Sequence, residues 1–211
     1  MADARMSTTR YDAIVVAGGR SSRLGTDKTR LPVEGVPLLD RVLSAVADAR
    51  QVVVIGEPRR VAVPVAWARE DPAGGGPAAG VVAGLELVTA PIVMLLAGDL
   101  PRLDAATVHR LLGSLESAEA IESAEAIESS GADAYSVDGA ILVDQEGRRQ
   151  HLTCAVVTEA LRRAASRRPT WHDAAMHELL ADLRLRPVPV QGREADDIDT
   201  PADLTATEEG S

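Results

Sequence analysis

Asp12-Ala13-Ile14-Val15-Val16-Ala17-Gly18-Gly19 is a short apolar run, rich in β-branched residues, that stops at two glycines. Such a run reads as a buried strand feeding a tight loop. Residues 51–55 and 91–97 repeat the pattern, the latter continuous through Ile92, Val93, Met94, Leu95 and Leu96. Helical patterns lie between these runs. Leu38, Leu39, Val42, Leu43 and Val46 recur at three- and four-residue spacing, which predicts a helix over 37–50 with Pro37 in its first turn. Residues 61–68 read as a short strand and 80–88 as a second helix. Strands alternating with helices predict an α/β domain whose mostly parallel sheet is covered on both faces. In such sheets ligands bind beyond the carboxyl ends of the strands. Gly18, Gly56 and Asp99 each follow a strand end.

Further along, Asp104 is suited to cap a helix over 104–115. Glu-Ser-Ala-Glu-Ala-Ile then occurs twice in tandem, at 116–121 and 122–127, followed by Glu128-Ser129. Residues 116–129 carry five glutamates and no basic residue, which reads as a solvated helical extension or a mobile surface loop. Strands are expected at 132–137 and 140–144, with a turn at Asp138-Gly139, and at 152–157. Helices are expected at 158–168 and 170–183. Residues 185–190 read as an edge strand, because Pro187 and Pro189 have no N–H to donate. Asp197-Ile198-Asp199 leads into a helix start at Thr200-Pro201.

The chain has 211 residues, 45% hydrophobic and 26% charged. That composition excludes disorder along the whole length and predicts one domain over 11–204, with an acidic repeat insert at 116–129. Residues 1–10 and 205–211 are expected to be flexible ends. A net charge of -10 argues against a nucleic-acid partner. No apolar run approaches the roughly 20 residues that span a bilayer, and the N-terminus lacks a secretory apolar region. Cys154 is the single cysteine, which suits a reducing compartment. The expectation is a cytoplasmic protein with neither membrane nor nucleic acid as partner.

Of the 22 basic residues, 21 are arginine; the single lysine, Lys28, falls in the glycine-rich segment after the first strand. Gly18-Gly19-Arg20-Ser21-Ser22-Arg23-Leu24-Gly25-Thr26-Asp27-Lys28 combines glycine backbone N–H groups with two guanidinium groups and an ammonium. Glycines let backbone amides approach a phosphate, and Arg23 and Lys28 neutralise its charge. The segment is neither a Walker A loop nor a dinucleotide fingerprint. Asp99, in Gly98-Asp99-Leu100-Pro101, is a candidate ligand for a hard cation beside phosphates. Asp197 and Asp199 are two apart and would share a side on a strand. Asp71 opens a Gly-Pro loop, 71–80, that is a candidate cover for a base or ribose. The four histidines make no zinc-binding pattern, and Cys154 reads as a packed thiol rather than a nucleophile. His151, after Arg148-Arg149-Gln150, either meets an anionic second substrate or caps a turn.

Val16-Ala17-Gly18-Gly19-x-Ser-x-Arg23-Leu24-Gly25-x-Asp27-Lys28 resembles the signature of the MobA-like nucleotidyltransferases. The loop from Asp71 to Gly80, Gly98-Asp99-Leu100-Pro101 and the late Asp197-Ile198-Asp199-Thr200-Pro201 follow in the family's order, so the resemblance covers roughly residues 11–204. It implies a Rossmann-like three-layer sandwich of the nucleotide-diphospho-sugar transferase type. It implies a Mg²⁺-dependent transfer of GMP from GTP to the phosphate of molybdopterin, with release of pyrophosphate. By position it gives nucleotide binding to Ala17, Gly18, Gly19, Lys28, Asp71 and Asp99, catalytic roles to Arg23, Lys28 and Asp99, and metal binding to Asp99; from the residues themselves, Asp199 is a second candidate metal ligand. The chain departs from the family pattern at Val16, at Gly98-Asp99-Leu100 and in the late motif, where it offers aspartates in place of asparagines. Cytidylyl transfer, a phospholactate or sugar-phosphate acceptor, and a non-catalytic nucleotide-binding protein remain open readings.

Overall fold

A computed structural model describes residues 10–17, 27–125 (116–125 by backbone alone) and 137–194. The expected strand 132–137, residues 126–129 of the acidic repeat, both chain ends, and the calls on Gly18, Gly19, Arg23, Asp197, Asp199 and Thr200-Pro201 lie outside, or almost wholly outside, these residues. β1 (Tyr11–Val16), β4 (Val52–Ile55), β5 (Ala66–Ala68) and β6 (Ile92–Ala97) lie parallel. β8 (Arg149–Val157) runs antiparallel to β6 and to β7 (Gly139–Val143), and β9 (Leu185–Pro189) runs parallel to β7. The sheet order is β5-β4-β1-β6-β8-β7-β9. Six strands therefore share one direction, with β8 reversed between β6 and β7. A small antiparallel hairpin, β2 (Pro32–Val33) and β3 (Val36–Pro37), stands apart.

The central strands are apolar on both faces because both faces are covered. Ala13, Val15, Met94 and Leu96 pack on one side with α1 (Leu38–Ala45) and α3 (Ala105–Glu125), through Leu39, Val42, Leu43, Val108, Leu111 and Leu112. Ile14, Val53, Val93 and Leu95 face the other side, toward α2 (Gly76–Leu85), α4 (Thr158–Ala165) and α5 (Met176–Leu179). This is the three-layer α/β sandwich with a mostly parallel sheet. The glycines of α2 set how closely it lies on the sheet: a Cβ on Gly80 would stand 2.7 Å from the Ile55 side chain, and one on Gly84 2.8 Å from it. Asp12 is the one fully buried charged side chain among the described residues. Its carboxylate accepts from the backbone N–H of Thr89 (2.7 Å) and Ala90 (2.9 Å) and from Arg50, so its burial is compensated.

Several elements differ from the sequence reading. α1 ends at Ala45 rather than 50, because the amides of Val46, Ala47 and Ala49 turn to carbonyls three residues back. α2 starts at Gly76, with Pro77 in its first turn. Only Ala66–Ala68 of 61–68 pairs as strand. Gly139 is not a turn residue but lies inside β7, where a Cβ would meet the Ala155 carbonyl oxygen at 2.5 Å. The expected helix over 170–183 shrinks to the single turn of α5, since Asp173 adopts φ 58 and its N–H is given to the Gly75 carbonyl at 2.8 Å. α3 runs on to Glu125, through the first hexapeptide and most of the second. β9 is an edge strand, as its prolines predict.

Candidate active site

Among the described residues, two cavities open at the carboxyl ends of the parallel strands. The smaller, about 580 Å³, is lined by the ends of β1 and β4 and by the loop before α2, including Ala17, Gly56, Trp67, Glu70, Gly74 and Gly76. The larger, about 1050 Å³, lies over the end of β6 and the β7–β8 hairpin, with Asp99, Asp144, Arg148, Arg149, His151 and Arg193 in its wall. Pro77 borders both. The strand ends that separate them are held together tightly. Gly98 donates its N–H to the Val16 carbonyl at 2.9 Å, and a Cβ on Gly98 would stand 3.1 Å from that oxygen and 3.2 Å from Ala17 Cα. This close approach puts Asp99, half-buried, one residue from the contact with Val16 and Ala17 at the end of β1.

Lys28 opens a single 3₁₀ turn, Lys28–Arg30, capped by Asp27. Asp27 Oδ1 accepts from Thr29 N at 3.1 Å and from Thr29 Oγ1 at 2.5 Å. Its other oxygen accepts from Arg30 Nε at 3.1 Å and from Arg59, whose second nitrogen donates to Thr29 Oγ1. Burial pushes the Asp27 carboxyl up, but the Thr29 hydrogen bond, the Arg59 charge and the bonds from Arg30 and Arg59 outweigh it and hold it below the ordinary aspartate value. Asp27 and Arg30, which flank Lys28 in the chain, both line the smaller cavity. Asp71 is exposed and lines neither cavity; its neighbour Glu70 is half-buried and lines the smaller one.

The wall of the larger cavity is basic along β8. His151 sits there with its ring centroid 6.1 Å from that of His177. Burial holds the His151 imidazole below its ordinary pKa, and the charges of His177 and Arg149 add to the effect. Behind this wall, Glu194 accepts from Arg110 at 2.6 Å and from Gln191 N at 2.7 Å, which ties the chain after β9 to α3. Cys154 is buried, and burial pushes its thiol up to about 12, so it is a packed thiol. Arg59 and Glu70 were not singled out in the sequence. An Arg in a Pro-rich stretch and a Glu beside a more prominent Asp carry no local signal that they turn into a cavity. Among the described residues, no three His, Cys, Asp or Glu side chains cluster as a metal site, and no helix is long and apolar enough to cross a membrane.

A mostly parallel sheet with helices on both faces and a cleft at its carboxyl edge defines an α/β domain of the nucleotide-diphospho-sugar transferase type. The chain belongs to the MobA-like NTP transferase domain family, whose model matches residues 13–187. It is 36% identical over 110 residues to a probable molybdenum cofactor guanylyltransferase of Trichormus variabilis, covering 50% of this chain and 53% of that protein. It is also 36% identical over 109 residues to the molybdenum cofactor guanylyltransferase of Rhodobacter capsulatus, covering 48% and 57%. The chain spans about half the length of the curated relatives it matches. Among solved structures, the Mycobacterium sp. strain JC1 homologue of Mycobacterium tuberculosis Rv0371c superposes with a TM-score of 0.70 at 20% identity, over 96% of this chain and 98% of that one. Molybdopterin-guanine dinucleotide biosynthesis protein A of Archaeoglobus fulgidus superposes with a TM-score of 0.63 at 20% identity, over 94% and 97%. At these identities the likeness is one of fold.

Proposed function

We propose that the protein is a Mg²⁺-dependent nucleotidyltransferase that moves GMP from GTP to the phosphate of molybdopterin and releases pyrophosphate. The observation that supports it is the side-by-side pair of cavities, one ending at Ala17 and one at Asp99, with Gly98 holding the two strand ends in contact. In this reading the smaller cavity takes the nucleoside triphosphate and the larger, with its basic wall, takes the phosphorylated acceptor. The names of the curated relatives favour guanylyl transfer and a molybdenum cofactor acceptor.

The chemistry asks for alignment rather than for a general base. A phosphomonoester is already anionic near neutral pH, so its oxygen attacks the α-phosphorus without losing a proton to the protein. The bond from the α-phosphorus to the bridging oxygen breaks, and pyrophosphate carries away the charge. Lys28, with Arg23 and the amides of Gly18 and Gly19, neutralises that charge. Asp99 and Asp199 would hold Mg²⁺. A half-buried carboxylate in the wall of a cleft of about 1050 Å³ fits a hard cation that takes one or two carboxylates and fills its shell with water and phosphate oxygens. When bound, the ion supplies charge neutralisation on the phosphates. The basic residues of β8 orient the acceptor.

The test is pyrophosphate release from GTP, measured with and without molybdopterin and with and without Mg²⁺. The reading expects release only when all are present. No release with any nucleoside triphosphate and acceptor would overturn it.

A further inference from the structure

We infer that Glu70 selects the base of the nucleotide by accepting the paired N–H donors of a guanine edge. This rests on the nucleotide reading of the smaller cavity. Among the described residues, three carboxylates line that cavity: Asp27, Glu57 and Glu70. Two already face guanidinium groups. Asp27 meets Arg30 and Arg59, and Glu57 meets Arg69 at 3.3 Å. Glu70 is half-buried and, among the described residues, forms no ion pair. Its Oε1 accepts from Gly74 N at 2.9 Å, which fixes the direction of the carboxylate.

The loop that follows Glu70 is rich in glycine. Gly74 and Gly76 both adopt φ 86, a left-handed conformation that carries the loop past Glu70 into α2. A Cβ on Gly80 would come within 3.7 Å of Glu70 Oε2, and one on Gly75 within 3.5 Å of its Cγ. At these distances a side chain would make ordinary contact with Glu70, while the close contacts are with Ile55 at 2.7 Å and His172 at 2.8 Å. Asp71, by contrast, is exposed and outside the cavity.

An anchored carboxylate with free lone pairs discriminates among bases. Each oxygen accepts more than one hydrogen bond, so the bond from Gly74 does not exhaust Oε1. Guanine presents N1–H and N2–H side by side, a match for the two oxygens. Cytosine and adenine present one donor beside an acceptor nitrogen, which a carboxylate repels. Uracil presents one donor flanked by two carbonyl oxygens. Glu70 therefore favours guanine and rejects the others.

The experiment is a calorimetric titration of the wild-type and Glu70→Gln chains with GTP, ITP and CTP in the presence of Mg²⁺. ITP lacks the 2-amino group, so the GTP-to-ITP ratio reads the second donor directly. Glutamine keeps an oxygen for Gly74 N, and a melting curve checks that the variant is folded. The expected result is tighter binding of GTP than ITP by the wild-type chain. Glu70→Gln should weaken GTP roughly ten- to a hundred-fold and bring the ratio near one. N1-methyl-GTP offered to the wild-type chain reads the first donor without any variant, and should bind as poorly as CTP. Equal wild-type affinity for GTP and ITP, preference for CTP, or a ratio lost in Asp71→Asn but kept in Glu70→Gln would overturn the assignment while leaving the cavity a nucleotide site. No binding of any triphosphate would remove the nucleotide reading itself.

Discussion

Arg59 and Asp27, 32 residues apart in the chain, meet side chain to side chain in the wall of the smaller cavity. Through this pair and the bond from Arg59 to Thr29, the turn that carries Lys28 is anchored to the segment between β4 and β5. Arg59→Ala should weaken nucleotide binding several-fold and cost about 1 kcal/mol of stability, since the Asp27 end of the pair is partly solvated. Nucleotide titration and urea unfolding measure the two effects.

The same pair gives a pH dependence. The Asp27 pKa is depressed in the folded chain, chiefly by Thr29 and the arginines acting against burial. Its contribution to stability is full above the ordinary aspartate value, about 4, and is lost as the pH falls through the depressed value. Unfolding of wild-type and Asp27→Asn chains should differ at pH 7, and the gap should narrow toward pH 3.

Lys28→Ala and Asp99→Ala should each lower turnover by about two orders of magnitude or more, with the melting temperature nearly unchanged. Steady-state pyrophosphate release checks this. A variant that keeps near-wild-type turnover would remove the role proposed for that residue.

Gly98→Ala tests the closeness of the strand ends. The added methyl would meet the Val16 carbonyl and Ala17 Cα at 3.1 and 3.2 Å, atoms that yield only if β1 and β6 part. A loss of about 1–3 kcal/mol in stability is expected. Turnover should fall with it, because Asp99 is the next residue.

His151 should report on the acceptor side. Burial, His177 and Arg149 keep its imidazole neutral at pH 7. Its folded pKa lies below the unfolded one, so the stability it contributes is present above about pH 6.5 and is lost as the pH falls through the lower value. Thermal unfolding of His151→Gln should depend less on pH between 7.5 and 5.5 than that of the wild type. The same variant should raise KM for the acceptor more than it changes kcat.

The sheet was legible where burial on both faces forces a continuous apolar run, as in β1, β4 and β6. It was less legible where tertiary contacts overrule local pattern. Trp171, Ala174, Met176, Leu179, Leu180 and Leu183 are all buried at spacings that suit a long helix, yet the left-handed Asp173 breaks it to reach Gly75. Gly139 carries the mark of a turn but serves a close strand contact. In the site, the position of Asp99 after a buried strand followed from chain order alone. Which of Glu70 and Asp71 faces the cavity did not, because adjacent residues point opposite ways and only the folded loop decides.

The central claim concerns which phosphorus moves. The wild-type chain should be incubated with molybdopterin, Mg²⁺ and GTP labelled at either the α- or the γ-phosphate. The account predicts that α-label enters the acceptor and γ-label leaves in pyrophosphate. Transfer of the γ-label to the acceptor, or no transfer of label from either position, would contradict it.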